Sequence, residues 1–276
     1  MEGDLFCASS YAFSDEDAEI EERKRGQCNE CSRPASVCLC DTFPHTPLET
    51  KGNVLILQHP FEKKRKLATA LFIAKCIRNC EILIGRRFPF VKFPQLKEVT
   101  EAAKQGAVPL FVMYPGPTSE PIEDVVERLN NGGLGQGADG ADGGDGGHQG
   151  QQQQQQPFSK YNLLVIDGTW QEAREMFTTI REHVLPPQVP SYRVEISIDE
   201  EFPLRTEPAS GCCTTLEAVA RALSVLERSP EVEDALLKPL VKLVSIQKRY
   251  SPAVAMRIDG ENGISYKATR QQRLGL

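Results

Sequence analysis

Four cysteines near the start of the chain have the spacing of a metal site. Cys28, Cys31, Cys38 and Cys40 follow the pattern Cys-x2-Cys-x6-Cys-x-Cys. Four thiolates complete the tetrahedral coordination of structural zinc, and short spacings let the backbone wrap around one ion. The alternative is four ordinary reduced cysteines, but cysteine favours burial and this segment is otherwise polar. We therefore predict a structural zinc-binding segment over residues 28–50.

A carboxylate stands at the end of an apolar run farther along the chain. The run Tyr161–Ile166 is typical of a buried strand, and a helical pattern begins shortly after it. The residues between them are Asp167-Gly168-Thr169-Trp170. A buried acid needs a partner or a chemical task, and ligands of open α/β sheets bind beyond the carboxyl ends of strands. Asp167 is therefore a candidate catalytic residue. Two simpler interpretations remain open: a helix capping box formed by Thr169 and Glu172, and a core position for Trp170.

Two more loops are candidates for the same site. One follows the apolar run Val108–Tyr114, where Gly116 permits close backbone approach to a ligand. The other is a second Thr-x-x-Glu capping box, Thr214 to Glu217, whose unpaired N–H groups suit a polar or anionic ligand. We predict one ligand-binding site from these loops. Its candidate residues are Tyr114, Pro115, Gly116, Asp167, Gly168, Thr169, Trp170, Thr214, Thr215 and Glu217.

Basic residues close to two predicted strands are candidate RNA contacts. They are Lys63, Lys64, Arg65, Arg86 and Arg87, together with His59 after the first strand. Clustered lysine and arginine side chains bind the phosphates of nucleic acids. For each basic residue the alternative is a solvated surface charge, and for a lone histidine it is a structural role.

The segments that position these residues alternate between short apolar strands and helices. Predicted strands are Asn53–Leu57, Glu81–Ile84, Val108–Tyr114, Tyr161–Ile166 and Arg193–Ile198. Predicted helices are Lys66–Cys80, Trp170 to about Thr179, Thr215–Glu227 and Val232–Tyr250. The first helix has Leu67, Leu71, Ala74 and Ile77 on one apolar stripe. This alternation indicates an α/β fold with a mostly parallel sheet flanked by helices.

Three segments have compositions that do not favour a packed core. We expect residues 1–27 to be a disordered acidic tail, residues 130–156 a Gly/Asp/Gln insertion within a 51–250 catalytic domain, and residues 251–276 a tail.

The net charge of −6 comes from the first two of these segments. Residues 1–22 contain eight acids and 130–156 contain three, with no Lys or Arg in either, so the rest of the chain carries +5. That mildly basic remainder suits an RNA partner.

Several classes of protein are disfavoured by what the sequence lacks. No apolar run approaches the roughly 20 residues of a membrane span, and the acidic first residues are unlike a secretory or transit peptide. We expect a cytoplasmic and/or nuclear protein without a membrane partner, whose nine cysteines are reduced or bind metal. The signatures of nucleotide hydrolysis, dinucleotide redox chemistry and zinc proteolysis are also missing. Oligomeric state is left open.

Taken in order, the motifs resemble the DTW-domain family of tRNA-uridine aminocarboxypropyltransferases. Besides the four cysteines, the matching segments are Leu57-Gln58-His59-Pro60, Gly85-Arg86-Arg87-Phe88, Tyr114-Pro115-Gly116, Ile166-Asp167-Gly168-Thr169-Trp170, Thr214-Thr215-Leu216-Glu217 and Leu236-Leu237-Lys238-Pro239-Leu240. They span about residues 28–250. Thr214 stands where the family usually has serine, which retains a hydroxyl, and the insertion at 130–156 is additional.

The resemblance implies a fold similar to the SPOUT methyltransferases, with a trefoil knot. It implies S-adenosylmethionine as donor of its 3-amino-3-carboxypropyl group to N3 of a uridine in tRNA, giving acp3U and 5′-methylthioadenosine. In that reaction Asp167 would accept the N3 proton or orient the base. Two other functions stay open: an S-adenosylmethionine-dependent RNA methyltransferase and a non-catalytic zinc-containing RNA-binding module. None of the three predicts DNA as a partner.

Overall fold

Short apolar segments form one sheet in which every pairing of described strands is parallel. The computed structural model describes residues 26–31, 33–65, 68–116, 118–131, 158–185, 187, 192–195 and 214–250. The strands are β1 (Asn53–Gln58), β2 (Cys80–Ile84), β3 (Leu110–Met113), β4 (Glu120–Pro121), β5 (Asn162–Asp167) and β6 (Tyr192–Glu195). Their order is β2-β1-β5-β3-β6-β4. The predicted α/β class is confirmed.

Six α-helices occupy the described part of the chain. They are α1 (Ala70–Cys76), α2 (Pro94–Lys104), α3 (Ile122–Asn130), α4 (Trp170–His183), α5 (Thr215–Glu227) and α6 (Pro230–Tyr250). Helix α5 has its predicted bounds, and α4 begins at the predicted residue and continues past the predicted end. Helices α2 and α3 and strand β4 were not predicted. Among the described helices, none combines the length and apolar character that crossing a bilayer requires.

The predicted helix Lys66–Cys80 is wrong in extent and in its buried face. Helix α1 has only two turns, because Ile77 adopts an extended conformation and forms a parallel bridge with Leu48. The chain then enters β2 at Cys80. Leu71, predicted on the buried stripe, is 48% exposed, whereas Phe72 and Ile73 are buried. Tertiary pairing therefore overrides the 3.6-residue spacing of the apolar side chains.

The chain divides into two units, residues 1–42 and residues 43–276. The sheet and all six helices belong to the second unit. Almost all of the acidic tail and of the Gly/Asp/Gln insertion, the C-terminal tail and the end of the predicted strand Arg193–Ile198 lie outside the described residues.

The register of the parallel strands brings their carboxyl ends to one edge of the sheet. Gln58 at the end of β1 pairs with Asp167 at the end of β5 and with Ile84 at the end of β2. Met113 at the end of β3 pairs with Val165 of β5. Strand β5 lies between β1 and β3, so the chain returns to the middle of the sheet after placing strands on either side of it. The knot implied by the family resemblance stays a prediction.

One side of the sheet packs on an apolar cluster that fixes the site-bearing edge. The cluster contains β1, β3 and β5 side chains together with residues of α2 and α4. Its buried members include Leu57, Val112, Leu164, Met176 and Phe177. Close packing of this kind resists displacement, so the first turn of α4 is fixed relative to the end of β5.

Candidate functional site

The carboxylate of Asp167 is buried and is held by two neighbouring elements. Only 3% of the residue is exposed. Gln58 at the end of β1 donates from Nε2 to Asp167 Oδ2 at 2.9 Å. Thr215, the first residue of α5, donates from Oγ1 to Asp167 Oδ1 at 2.5 Å. Two donors facing the two oxygens fix the orientation of the carboxyl group.

The predicted capping box at the start of α4 is present. Thr169 Oγ1 accepts from the Glu172 N–H at 3.3 Å, and Glu172 Oε2 accepts from the Thr169 N–H at 2.7 Å. Trp170, the first residue of the helix, is 46% exposed. The alternative that Trp170 is a core residue is therefore wrong, because nearly half of its surface faces solvent.

A second capping box begins α5, as the sequence predicted. Thr214 Oγ1 accepts from the Glu217 N–H at 3.2 Å, and Glu217 Oε2 accepts from the Thr214 N–H at 2.7 Å. Glu217 is buried, with 5% of its surface exposed. This box sets the direction in which α5 leaves its loop, and so it places Thr215 against Asp167.

Glu172 also joins the start of α4 to the loop after β1. Its Oε1 accepts from Arg65 Nη2 at 3.0 Å and lies 3.2 Å from His59 Nδ1. Arg65 makes a further ion pair with the buried Glu62. Burial alone would raise the pKa of Glu172, but hydrogen bonds with Thr169 and the nearby side chains of Arg65 and His59 hold that pKa below its ordinary value.

His59 lies inside this network. It is 3% exposed, and its backbone N–H donates to the Asp167 carbonyl at 2.9 Å. The buried ring favours a role in holding the loop against β5 over direct contact with RNA. Lys63, Lys64, Arg86 and Arg87 are exposed, as contacts with phosphate require, whereas Arg65 is partly buried and ion-paired.

Two glycines of the site occupy positions where a side chain would crowd its neighbours. A Cβ at Gly168 would lie 3.1 Å from Glu172 Cβ and 3.4 Å from His59 Cβ. A Cβ at Gly116 would lie 3.1 Å from Arg193 Nη2. Glycine at both positions lets the backbone approach the adjacent groups closely, so both loops stay near the edge of the sheet.

Tyr114, after the end of β3, is fixed by an aromatic contact. Its ring stacks on Phe177 of α4, with centroids 3.8 Å apart and planes 16° apart. The guanidinium of Arg193 in β6 lies 5.2 Å from the centroid of the same Phe177 ring. Pro115 is exposed and Gly116 partly exposed. The loop therefore presents an aromatic ring, a glycine and a nearby cation at the same edge as Asp167.

The four N-terminal thiols come together as the sequence predicted, in a cluster that could hold a metal. All four Sγ atoms lie within 4.8 Å of one another, with Cys28 to Cys40 at 3.5 Å and Cys31 to Cys38 at 3.7 Å. A tetrahedral site with zinc–sulfur bonds of about 2.3 Å has sulfur–sulfur edges of about 3.8 Å. Hydrogen bonds from the backbone of Cys31 and Glu30 lower the pKa of Cys28 to about 6, whereas burial and hydrogen bonds with the other thiols raise the pKa of Cys40.

The family of this chain is shown by its match to a known protein family. A model of the DTW domain matches residues 25–248, which is most of the chain. This chain belongs to the DTW domain family. The matched region of the DTW domain contains the four cysteines, all six strands and both capping boxes.

Relatives of this DTW protein carry related names. It is 29% identical to tRNA-uridine aminocarboxypropyltransferase 2 of Macaca fascicularis, over 85% of this chain and 67% of that protein. It is 31% identical to the Drosophila melanogaster protein of the same name, over 81% of this chain and 76% of that protein. It is 27% identical to tRNA-uridine aminocarboxypropyltransferase A of Arabidopsis thaliana, over 89% of this chain and 90% of that protein. No solved structure matches it.

Three residues of the site in this DTW protein were not singled out from the sequence. Gln58 was quoted only within a motif, Glu62 was not noted, and Arg193 was only the start of a predicted strand. A signal existed for Gln58, since a polar residue that ends an apolar strand needs a partner. The contacts of Glu62 and Arg193 depend on tertiary packing, and no local pattern indicates them.

Proposed function

We propose that this protein transfers the 3-amino-3-carboxypropyl group of S-adenosylmethionine to N3 of a uridine in tRNA, forming acp3U and releasing 5′-methylthioadenosine. The observation that carries the proposal is the buried Asp167 carboxylate, oriented by Gln58 and Thr215 where the strands end. Membership of the DTW family and the names of three relatives support the same reaction.

Asp167 is proposed to take the N3 proton of the uridine. The imide must lose this proton as N3 forms its new bond to carbon. A carboxylate offers about four acceptor positions, so it can hold Gln58 and Thr215 and still accept a hydrogen bond from a substrate. Those two donors keep its oxygens in one orientation, which lowers the cost of reaching the reactive geometry.

The loops beside Asp167 have the character that the proposed donor requires. S-adenosylmethionine supplies the transferred group and an activated sulfonium leaving group when it is bound. At Gly116 and Gly168 a Cβ would lie 3.1 Å from a neighbouring side-chain atom, so glycine keeps both loops close to the sheet edge, and Tyr114 contributes an aromatic ring. The capping boxes already bind the N–H groups of Thr169 and Thr214, and the N–H groups that follow in the first turn of each helix suit a carboxylate. The roles of Pro115, Trp170 and Glu217 in donor binding stay predictions.

The exposed basic residues are proposed to hold the tRNA. Lys63 and Lys64 follow β1, whose last residue pairs with Asp167, and Arg86 and Arg87 follow β2, the next strand beyond β1. Phosphate contacts of this kind fix the position of the nucleic acid without reading its sequence. A tRNA substrate fits the expected cytoplasmic and/or nuclear location, which fractionation of tagged protein tests.

The products of one reaction separate the proposed function from its alternatives. Wild-type protein is incubated with unmodified tRNA and S-adenosylmethionine, and nucleosides and small molecules are analysed by mass spectrometry. We expect acp3U and 5′-methylthioadenosine in equal amounts. A methylated nucleoside with S-adenosylhomocysteine would establish methyl transfer instead. No product, together with no S-adenosylmethionine binding in calorimetry, would favour a non-catalytic RNA-binding module.

Asp167→Asn tests the proposed base. Asparagine is nearly isosteric but cannot accept the N3 proton, so the single-turnover rate should fall by about 10²- to 10⁴-fold while S-adenosylmethionine still binds. Asp124→Asn, at an exposed acid of α3, is the matched control and should react like wild type. Turnover of Asp167→Asn near the wild-type rate would refute the assignment. A fall in donor affinity that matches the fall in rate would make Asp167 a donor ligand.

We also propose that the cysteine cluster binds zinc. The four sulfur atoms have the separations of a closed tetrahedral thiolate site, and such sites contribute directly to folding. Elemental analysis should find about one zinc per chain. Cys31→Ser should lose the metal and Cys80→Ser, outside the cluster, should keep it. Metal-free protein that melts at the same temperature as the purified form would contradict a structural role.

A further inference from the structure

The loop after β1 exposes a large aromatic side chain beside the candidate site. Phe61 is 54% exposed. Its ring lies edge-on to His59, with centroids 5.1 Å apart and planes 79° apart. The guanidinium carbon of Arg86, from the segment after β2, lies 4.9 Å from the Phe61 centroid. Two separate strand ends therefore contribute to one aromatic–cation pair at the surface.

The conformation of the loop keeps Phe61 exposed. Phe61 precedes a short 3-10 turn, Glu62–Lys64, whose first residue is 3% exposed and ion-paired with Arg65. Arg65 continues the network to Glu172 at the start of α4. With Glu62 directed inward and held by a charge, the adjacent Phe61 is kept at the surface. A single exposed apolar side chain is common on protein surfaces, so the case for binding at Phe61 rests on its contact with Arg86 and on its charged surroundings.

The surroundings of Phe61 are basic. Lys63, Lys64, Arg86 and Arg87 are exposed around this loop, and the nearby acids Glu62 and Glu172 are both ion-paired with Arg65. Protein–protein interfaces are depleted in lysine, whereas RNA is held by cations at its phosphates and by aromatic rings or guanidinium planes on which unpaired bases stack. The chemistry favours RNA as the occupant.

A chain of contacts connects this surface to Asp167. The ring of Phe61 contacts His59, and a Cβ placed on Gly168, the residue after Asp167, would lie 3.4 Å from His59 Cβ. The His59 N–H donates to the Asp167 carbonyl. A base that stacks on Phe61 would thus lie close in space to the nucleotide whose N3 reaches Asp167.

We propose that Phe61 and Arg86 form a stacking platform for one unpaired nucleobase of the tRNA, next to the uridine that is modified. The platform rests on the proposed function for the identity of the RNA. Stacking tolerates any base, because every base has a π face. The pair therefore holds the substrate strand open at the site and does not select a sequence.

Phe61→Leu tests the platform in binding experiments without S-adenosylmethionine. The affinity for a fluorescein-labelled tRNA transcript should fall by about 5- to 150-fold, as expected for one lost base stack. Phe61→Trp should bind at least as well as wild type. Leu71→Ala, at an exposed apolar residue of α1, is the matched control and should not change the affinity. Because Phe61 and Leu71 are each about half exposed, all three variants should melt close to the wild-type temperature.

Salt dependence separates stacking from charge. The slope of log affinity against log salt counts the phosphates that the protein neutralises. Phe61→Leu should keep the wild-type slope, whereas Lys64→Gln should reduce it by about 0.7–0.9. A single-stranded RNA that carries 2-aminopurine should be quenched by wild-type protein and less by Phe61→Leu.

The outcomes distinguish this inference from the proposed function. Wild-type RNA affinity and quenching in Phe61→Leu would overturn the platform, and that result would point to a protein partner at this ring. It would leave the transferase function untouched if acp3U still forms. Loss of RNA affinity in Phe61→Leu, in a protein that makes no acp3U, would support the platform while the transferase proposal fails.

Discussion

The starts of α4 and α5 have the same local structure in different surroundings. Each is a Thr-x-x-Glu capping box, with hydroxyl bonds of 3.3 and 3.2 Å and carboxylate bonds of 2.7 Å in both. At the first helical position they differ. Trp170 is 46% exposed, whereas the Thr215 hydroxyl donates to Asp167. The capping motif therefore fixes the start of a helix, and the neighbouring strand fixes what that start can do.

The two capping glutamates differ in the same way. Glu172 binds Arg65 and lies beside His59, so it connects α4 to the loop after β1. Glu217 is more deeply buried, with 5% of its surface exposed. One box thus supports the proposed RNA-binding loop and the other supports the carboxylate. Variants at equivalent positions of the two boxes should separate effects on chemistry from effects on stability.

Among variants of the two capping boxes, the largest effect is expected at Thr215. Thr215→Val removes the hydroxyl that orients Asp167 and keeps the shape of the side chain. Hydrogen bonds to charged groups contribute about 1.5–3 kcal/mol, so the single-turnover rate should fall by about 10- to 150-fold. Thr215→Ser retains the hydroxyl and should restore most of the rate. If valine and serine variants are equally slow, the bond to Asp167 does not explain the loss.

An intermediate effect on stability is expected at the caps. Thr214→Ala and Thr169→Ala each remove one cap, which costs about 0.5–2 kcal/mol, or roughly 1–8 °C in Tm for a domain of this size. The loss should be larger for Thr214→Ala, because the Glu217 N–H that loses its acceptor belongs to a buried residue, and a buried donor without an acceptor is costly. Thermal melts of both variants, with serine at each position as control, measure the difference. Equal losses of Tm in the two alanine variants would show that burial of Glu217 does not increase the cost of removing the cap.

The smallest effect is a pH dependence at Glu172. Its pKa in the folded protein lies below the ordinary value of 4.5, so its contribution to stability is complete above that value and is lost as the pH falls through the lower, folded-state pKa. Glu172→Gln should lower Tm at pH 7, and the difference from wild type should shrink below about pH 4.5. Glu182→Gln, at an exposed acid of the same helix, should show no such difference. A Tm difference between Glu172→Gln and wild type that does not change with pH would mean that the charge of the carboxylate does not contribute to stability.

The sequence predicted the strands better than the helices, for a physical reason. β1, β3 and β5 are buried on both faces and are therefore continuous apolar runs. α2 was missed, because only a narrow stripe containing Leu96, Val99 and Ala103 is buried. The helix predicted around α1 is too long, because the spacing of its apolar residues continues to Ile77, whereas Ile77 leaves the helix and forms a bridge with Leu48.

Some features of this protein follow from short stretches of sequence alone. The two capping boxes close over four residues each, and the four thiols lie within thirteen. Bonds inside such short segments need no distant partner, so their residue types and spacing suffice to predict them. The same holds for the carboxylate that ends β5, since its apolar strand and the following helix start are both visible in the sequence.

Only the tertiary structure decided which residues meet that carboxylate. Gln58 lies 109 residues from Asp167 and Thr215 lies 48 residues from it, and both reach its oxygens because parallel pairing aligns β1 with β5 and packing sets the start of α5. The same packing buries His59, whereas Trp170 and Phe61 remain exposed at the surface. Hydrogen bonds between distant segments depend on strand register and helix placement, which are properties of the whole fold.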